Sequence, residues 1–453
     1  MTVQATAQPT DDGIMGVGAL APAGRGYRRY ALVLLMLIYV FNMVDRQVVN
    51  ILAESIKRDL ALHDWQIGMM SGLSFAVLYT VLGIPIARYA ERGDRPLIIA
   101  AAVALWSGFT ALCGLAQSFV QLALIRVGVG IGESGCTPPA LSLIADTAPK
   151  ESRASAIAIY MLGAPIGSLL GVAFGGLVAD AYGWRAAFMI VGLPGLLLAA
   201  AAAATLREPR RGAPKASLAA AETAPSLRDT LRELAGKRAY WRMVAGVTLQ
   251  AFISYGALAF TASFFLRNYS AELAEASARF GLKSVGLLGL GLGLASGGTA
   301  IVGTLLGGRL ADRFVARDPR AYAVIPAVGA IAALPFSLAV LNAPSMTIAF
   351  ALLLAPGLLS AMWLGPSYAS VQGLVRPESR ATATAILLFI ANLIGLGLGP
   401  LAVGLVSDLL HARAGFTEAA AIKWSLTGFA LLALPCAWAF WSAGKTMRED
   451  LVS

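Results

Sequence analysis

The chain has 453 residues, with 35 Lys and Arg against 25 Asp and Glu, a net charge of +10, 58% hydrophobic and 13% charged residues, and a mean hydropathy of +0.72. Soluble domains carry about 25% charged and 45–50% apolar residues. The balance therefore excludes an ordinary cytosolic enzyme, a disordered chain or a fibrous protein, and points to a chain that uses the lipid bilayer as solvent. The basic residues stand between apolar runs and not along one face, so nucleic acid is excluded as a partner.

In chain order, a polar segment over 1–29 ends in Arg25, Arg28 and Arg29. No small-residue cleavage site follows the first apolar run at signal-peptide distance, so that run is expected to remain as a span. Apolar stretches punctuated by Pro, Gly and charge predict twelve helical spans: 30–54, 65–89, 96–117, 119–146, 153–179, 184–206, 241–267, 284–308, 321–342, 345–374, 380–409 and 420–443. The fold class expected is an all-α membrane protein with two six-helix bundles, 30–206 and 241–444, and a cytoplasmic tail at 445–453. The cytoplasmic linker at 207–240 carries a helix start at Ser226 and Asp229. Leu227, Leu231 and Leu234 share one face after it, as in a short helix on the membrane surface.

Of the 35 Lys and Arg, 25 lie in the N- and C-terminal segments and the even-numbered loops, 8 in the odd-numbered loops, and 2, Arg46 and Arg126, inside spans. Positive charge marks the cytoplasmic side, so both termini and the linker are expected there, in a multi-pass protein of a bacterial inner or plasma membrane. Cys113, Cys136 and Cys436 lie in apolar segments without disulfide or metal-ligand spacing. His63 and His411 fall in loops, so no metal site and no histidine-based triad is expected.

The chain repeats internally. Pro149-Lys150-Glu151-Ser152-Arg153-Ala154 after span 4 matches Arg376-Pro377-Glu378-Ser379-Arg380-Ala381 after span 10 at an offset of 227, which also relates Pro139 to Pro366. Ala90-Glu91-Arg92 after span 2 matches Ala311-Asp312-Arg313 after span 8 at an offset of 221. Two related halves imply two bundles facing a central cavity, with a substrate site near the midplane.

Gly308-Arg309-Leu310-Ala311-Asp312-Arg313 resembles the G-x-L-A-D-R loop motif of the major facilitator superfamily, and Ala87-Arg88-Tyr89-Ala90-Glu91-Arg92 is a divergent N-half copy. Within that superfamily the chain resembles the Spinster family of lysolipid and sphingolipid-phosphate transporters. The matching residues are Asn42-Met43-Val44-Asp45-Arg46, Arg126-Val127-Gly128-Val129-Gly130-Ile131-Gly132-Glu133, Pro139 to Asp146, Pro165-Ile166-Gly167-Ser168, Leu258-Ala259-Phe260 and Phe265-Leu266-Arg267. The resemblance implies an ionic network whose carboxylates take a coupling proton. It also implies a latch of Glu91, Arg92, Asp312 and Arg313 that closes the cytoplasmic side; the alternative for these four is topogenic charge alone.

Asp45, Arg46, Arg126 and Glu133 fall inside spans, where a charge needs a cavity or a partner. Arg126 and Glu133, seven apart, share one face of span 4 with about 10 Å of rise between them, and Asp45 on span 1 is the candidate to bridge them. Arg126 is expected to hold an anionic head group, with Glu133 and Asp45 carrying protons. A permanent salt bridge is the structural alternative. Arg46 lies about 100° from Asp45 and shares a face with Tyr39 and Asn42, which either satisfy it or join it at the cavity. Gln250, Ser254, Tyr255, Phe260 and Thr261 of span 7, with Trp363 and Tyr368 of span 10, give the C half an aromatic, uncharged lining; ordinary packing is the alternative for each. Gly128-x-x-x-Gly132, Gly163-x-x-x-Gly167-x-x-x-Gly171 and Gly395-x-Gly397-x-Gly399 permit close helix approach. No Gly-Lys-Ser/Thr pattern accompanies them, which disfavours an ATP-driven pump.

The expectation is a monomeric, non-enzymatic, proton-coupled secondary transporter that exports an amphipathic or lipid-like organic anion, with the proton gradient as driving ion and no cofactor. Rival readings are a transporter of small organic acids or sugar phosphates, a broad-specificity drug exporter and a non-transporting receptor.

Overall fold

The computed structural model describes residues 24–149, 152–209 and 227–451, except the side chains of Glu91, Arg92 and Ala154. Its secondary structure is entirely helical among the described residues. Among the described residues, eleven helical stretches are long and apolar enough to cross a membrane: Arg25–Asp59, Asp64–Ala90, Arg95–Cys113, Phe119–Thr147, Ser155–Thr205, Arg238–Asn268, Ser284–Val315, Ala321–Leu341, Met346–Leu374, Pro377–Ala414 and Glu418–Asp450. Ser155–Thr205 is two spans joined without a loop. Gly183, at φ 84° and ψ 164°, turns the chain inside it, a conformation that a Cβ would strain. Spans 5 and 6 are thus separated by one residue's dihedrals, and the described residues hold twelve spans.

The boundaries differ from the sequence expectation where helices continue into loops. Span 1 runs on to Asp59, span 8 to Val315, and span 12 through the expected tail to Asp450. Span 2 bends at Gly72, where the backbone carbonyls of Leu396 and Gly397 leave no room for a side chain. A surface helix, Ser270–Phe280, fills the loop after span 7, which the apolar periodicity gave no reason to expect. The linker helix is Leu227–Ala235; Leu234 is buried while Leu227 and Leu231 are exposed, and Ser226 lies outside the described residues. Glu233 ties this helix to the loop after span 10, accepting from the Arg376 backbone N–H at 3.0 Å and the Ser379 hydroxyl at 2.7 Å.

Small residues set the helix spacing within each half. Gly163, Gly167 and Gly171 of span 5 lie against the span 1 backbone, and a Cβ on Gly167 would stand 2.3 Å from the Val40 carbonyl. The same device joins the halves. Gly68 of span 2 lies against Pro400 of span 11, and Gly176 of span 5 against Val285 of span 8. These inter-half contacts lie at the odd-loop end of the bundle, opposite the chain termini, so that is the end at which the halves are closed together.

Candidate functional site

The four intramembrane charges converge between spans 1 and 4. Arg46 Nε donates to Glu133 Oε2 at 2.6 Å, and Arg126 Nη1 stands 3.7 Å from Asp45 Oδ1. The pairs are therefore crossed between helices. Arg126 does not pair with Glu133 along span 4, and Asp45 does not bridge them; each meets its own partner on the neighbouring span. Side chains lean toward their helix N-terminus. Arg46 on span 1 accordingly leans toward the terminus side, where Glu133 lies, and Arg126 on the antiparallel span 4 leans the opposite way, toward Asp45.

Asp45, Arg126 and Glu133 are at most 2% exposed. The two pairs are unequal in hydrogen bonding. Both Asp45 oxygens, Arg126 Nε and Nη1, and Glu133 Oε1 have no hydrogen-bond partner. Buried polar atoms are ordinarily satisfied, so this cluster keeps open capacity for a proton, water or ligand.

Aromatic rings enclose the charges. The Arg46 guanidinium carbon stands 4.8 Å from the Phe75 ring centroid and 4.5 Å from that of Tyr79, and Arg126 approaches the same Phe75 ring at 5.4 Å. Phe75 thus touches both cations, a contact that stabilises each by about 0.5–2 kcal/mol. Gly130 lets span 4 come this close, since a Cβ there would meet the Phe75 carbonyl at 2.4 Å. Tyr39 stacks on Tyr160 with ring centroids 4.8 Å apart. Tyr39, Tyr79, Tyr255 and Tyr368 are half-buried electrostatic neighbours, and Arg46 lies close to Tyr39 and Tyr255. Tyr255 and Tyr368 bring the C half to this group.

Other expected residues lie elsewhere. Phe260 is fully buried in the core at the closed end, with Phe264 and Phe265, and so leaves the cavity group. Thr261 donates to the Ala257 carbonyl of its own helix, and Gln250 donates to Ser254. Asp312 and Arg313 are exposed, with no ion pair to another described residue; the side chains of Glu91 and Arg92 lie outside the described residues. Phe75, Tyr79 and Tyr160 were missed. The i, i+4 spacing of Phe75 and Tyr79 beside Ser71 and Ser74 was the available signal.

A second charge cluster closes the odd-loop end. Arg267 of span 7 donates to both oxygens of Asp64 at 2.9 and 2.7 Å and to Glu54 at 3.0 Å. Lys57 bridges Asp64 at 2.9 Å and Glu418 at 3.1 Å. Asp408 accepts from the Asp64 and Trp65 backbone N–H groups, and the Ser407 hydroxyl donates to Asp64 at 2.7 Å. Spans 1 and 2 are thereby tied to spans 7, 11 and 12. Among the described residues no group of His, Cys, Asp and Glu is arranged to hold a metal.

Comparison with known proteins places this architecture. A family described as the Major Facilitator Superfamily matches residues 35–400. An MFS-type efflux pump of Mycolicibacterium smegmatis is 34% identical over 92% of this chain and 93% of its own length. Human protein spinster homolog 1 is 28% identical over 89% of this chain and 77% of its own length. A crystal structure of a bacterial homolog of the human lysosomal transporter Spinster, inward-facing and unoccupied, superposes with a TM-score of 0.83 at 34% identity, covering 95% of this chain and 100% of that one. The chain belongs to the Major Facilitator Superfamily of multi-pass membrane transporters and, within it, resembles the Spinster proteins.

Proposed function

We propose that this transporter couples proton movement to the export of an amphipathic organic anion, of lysolipid or sphingoid-phosphate type, by alternating access between its two halves. The observation that carries the reading is Arg126. It is a permanently cationic group, 2% exposed, only loosely paired with Asp45 and set against the Phe75 ring at 5.4 Å, while the half-buried tyrosines gather around the neighbouring Arg46. An anionic head group fits the guanidinium, and an apolar tail fits the aromatic, uncharged C half. The Lys and Arg distribution supports termini on the cytoplasmic side. The closed end then faces outward, and the conformation is inward-facing.

Coupling follows from competition at the crossed pairs. An anion taken by Arg126 displaces Asp45, and a carboxylate's proton affinity depends on whether a cation and water remain beside it. Glu133, held by Arg46 at 2.6 Å, is the second proton site. A second reading, a broad-specificity exporter, is favoured by the likeness to the mycobacterial efflux pump. Liposome flux separates the parts of the proposal. Glu133→Gln keeps the shape but carries no proton; it should bind and exchange substrate yet lose gradient-driven accumulation. Accumulation at the wild-type level would exclude Glu133 as the obligatory carrier. Indifference to the charge of a lysolipid series would favour the drug-exporter reading.

A further inference from the structure

A cavity of about 630 Å³ lies at the terminus side of the C half, between spans 8, 9, 10 and 12. Spans 9 and 12 contribute none of the residues of the central charge cluster or of the tyrosines beside Arg46, so this cavity is separate from the central site. Phe314, Val324, Val328 and Trp441 form its apolar part. Val328 at 51% and Trp441 at 54% exposure show that it opens sideways, toward the surroundings of the bundle.

The rim is cationic. Arg317, Arg320 and Lys445 line it, are exposed, and make no ion pair with a described residue. The one acid there, Asp318, is already engaged: it accepts from the Arg320 backbone N–H at 2.9 Å and pairs with Arg448 at 3.2 Å. Three cations outside any ion pair with a described residue, with Asp318 beside Arg320 paired to Arg448, thus sit above an apolar cleft beside a tryptophan, at the depth where a membrane protein meets lipid head groups. An ammonium-bearing or zwitterionic head group gains little from such a rim, whereas a net-anionic phosphodiester complements it. The apolar cleft below accepts the upper acyl chains.

We propose that this cleft binds one anionic diacyl phospholipid of the terminus-side leaflet, with its phosphate between Arg317, Arg320 and Lys445 and its acyl chains along Val324, Val328 and Trp441. The purified full chain, examined by native mass spectrometry, should retain one dioleoylphosphatidylglycerol in preference to dioleoylphosphatidylcholine. Each basic side chain near an anionic lipid contributes about fivefold. Arg317→Gln, Arg320→Gln and Lys445→Gln together should therefore weaken retention by about 100-fold, and Lys445→Gln alone by about fivefold. Val328→Trp, which fills the cleft and leaves the charges, should also release the lipid. Glycerol phosphate alone should not displace it. Equal retention of the two lipids, retention unchanged in Lys445→Gln or Val328→Trp, or full displacement by glycerol phosphate would each overturn the proposal. The single variants keep the test decisive if the triple variant does not fold.

Discussion

At the scale of single residues, the two charge pairs of the central cluster have different work to do. The Arg46–Glu133 contact is short and reinforced by Phe75 and Tyr79, whereas Arg126 and Asp45 leave four polar atoms without hydrogen bonds. Each unsatisfied buried polar atom costs about 1–3 kcal/mol, so the second pair is the one a ligand would stabilise most. A charge-assisted hydrogen bond contributes about 1.5–3 kcal/mol. Arg126→Ala should therefore weaken an anionic lysolipid by roughly 10- to 100-fold and a neutral analogue of equal tail length by much less. Arg126→Lys should recover little, because a point charge replaces a planar fork. Removing Arg126 also strands Asp45, which by itself destabilises a buried site by about 3–5 kcal/mol. Arg126→Gln combined with Asp45→Asn removes that penalty. If the double variant binds anionic and neutral ligands as the wild type does, Arg126 holds no head group and serves only to hold spans 1 and 4 together.

Among the elements, the spans and their order were legible in the sequence because apolar length, loop charge and the Glu-Ser-Arg-Ala repeat are local signals. The intramembrane charges stood out for the same reason, as rare residues in apolar runs. Their pairing was not legible, because it depends on the lean of side chains on antiparallel helices, which spacing along span 4 alone cannot supply. The lock at the odd-loop end was hidden further, since Glu54, Asp64, Arg267, Asp408 and Glu418 come from five separate stretches and each reads as a charge in a loop or at the end of a span. Breaking a buried pair costs about 3–5 kcal/mol, and shifting a two-state equilibrium from 1:99 to 99:1 takes about 5.5 kcal/mol. Arg267→Ala should thus move a large part of the population out of the closed-end state. With Ser407→Cys as reporter, buried at 1% exposure in the closed state, thiol labelling should accelerate at least about tenfold. Unchanged labelling would reduce the lock to a packing contact. The linker helix offers a pH test. Burial raises the proton affinity of Glu233, but the Arg376 N–H, the Ser379 hydroxyl and the Arg376 charge outweigh it and hold the carboxyl below its ordinary value. Its docking is therefore fully present above the ordinary Glu pKa of about 4.3 and is lost as pH falls through the lower folded value. Hydrogen exchange over Leu227–Ala235 should show protection at pH 6 that disappears in strong acid, and Glu233→Ala should remove it at pH 6 as well. Protection that survives in the variant would assign the docking to Leu234 alone.

For the whole molecule, the two halves are held at one end by glycines as much as by charge, and this makes the closed state testable without touching any ionisable group. Gly68 and Gly176 let spans 2 and 5 of one half lie directly on spans 11 and 8 of the other, and Gly404 does the same against Asp64. A Cβ at Gly68 would stand 2.2 Å from the Pro400 carbonyl oxygen and 2.8 Å from the Leu401 Cα, both backbone atoms that cannot swing aside. Rocking the halves apart at this end removes the clash, so the added side chain opposes one state and spares the other. A perturbation acts on an equilibrium only through its differential energy between states. Gly68→Val is accordingly a wedge that should favour opening at the odd-loop end. Gly83 lies on the same span, where an added Cβ meets nothing within 4 Å, so Gly83→Ala is the matched control. Labelling of Ser407→Cys should rise with the wedge and stay slow in the control. Binding from the terminus side should fall in proportion, because the competent state is less populated, and net flux should drop because the cycle can no longer return through the closed end. A wedge variant that stays folded, labels as slowly as wild type and transports normally would mean that the halves do not separate along the span 2–span 11 seam, and the rocking axis would have to lie along spans 5 and 8 instead.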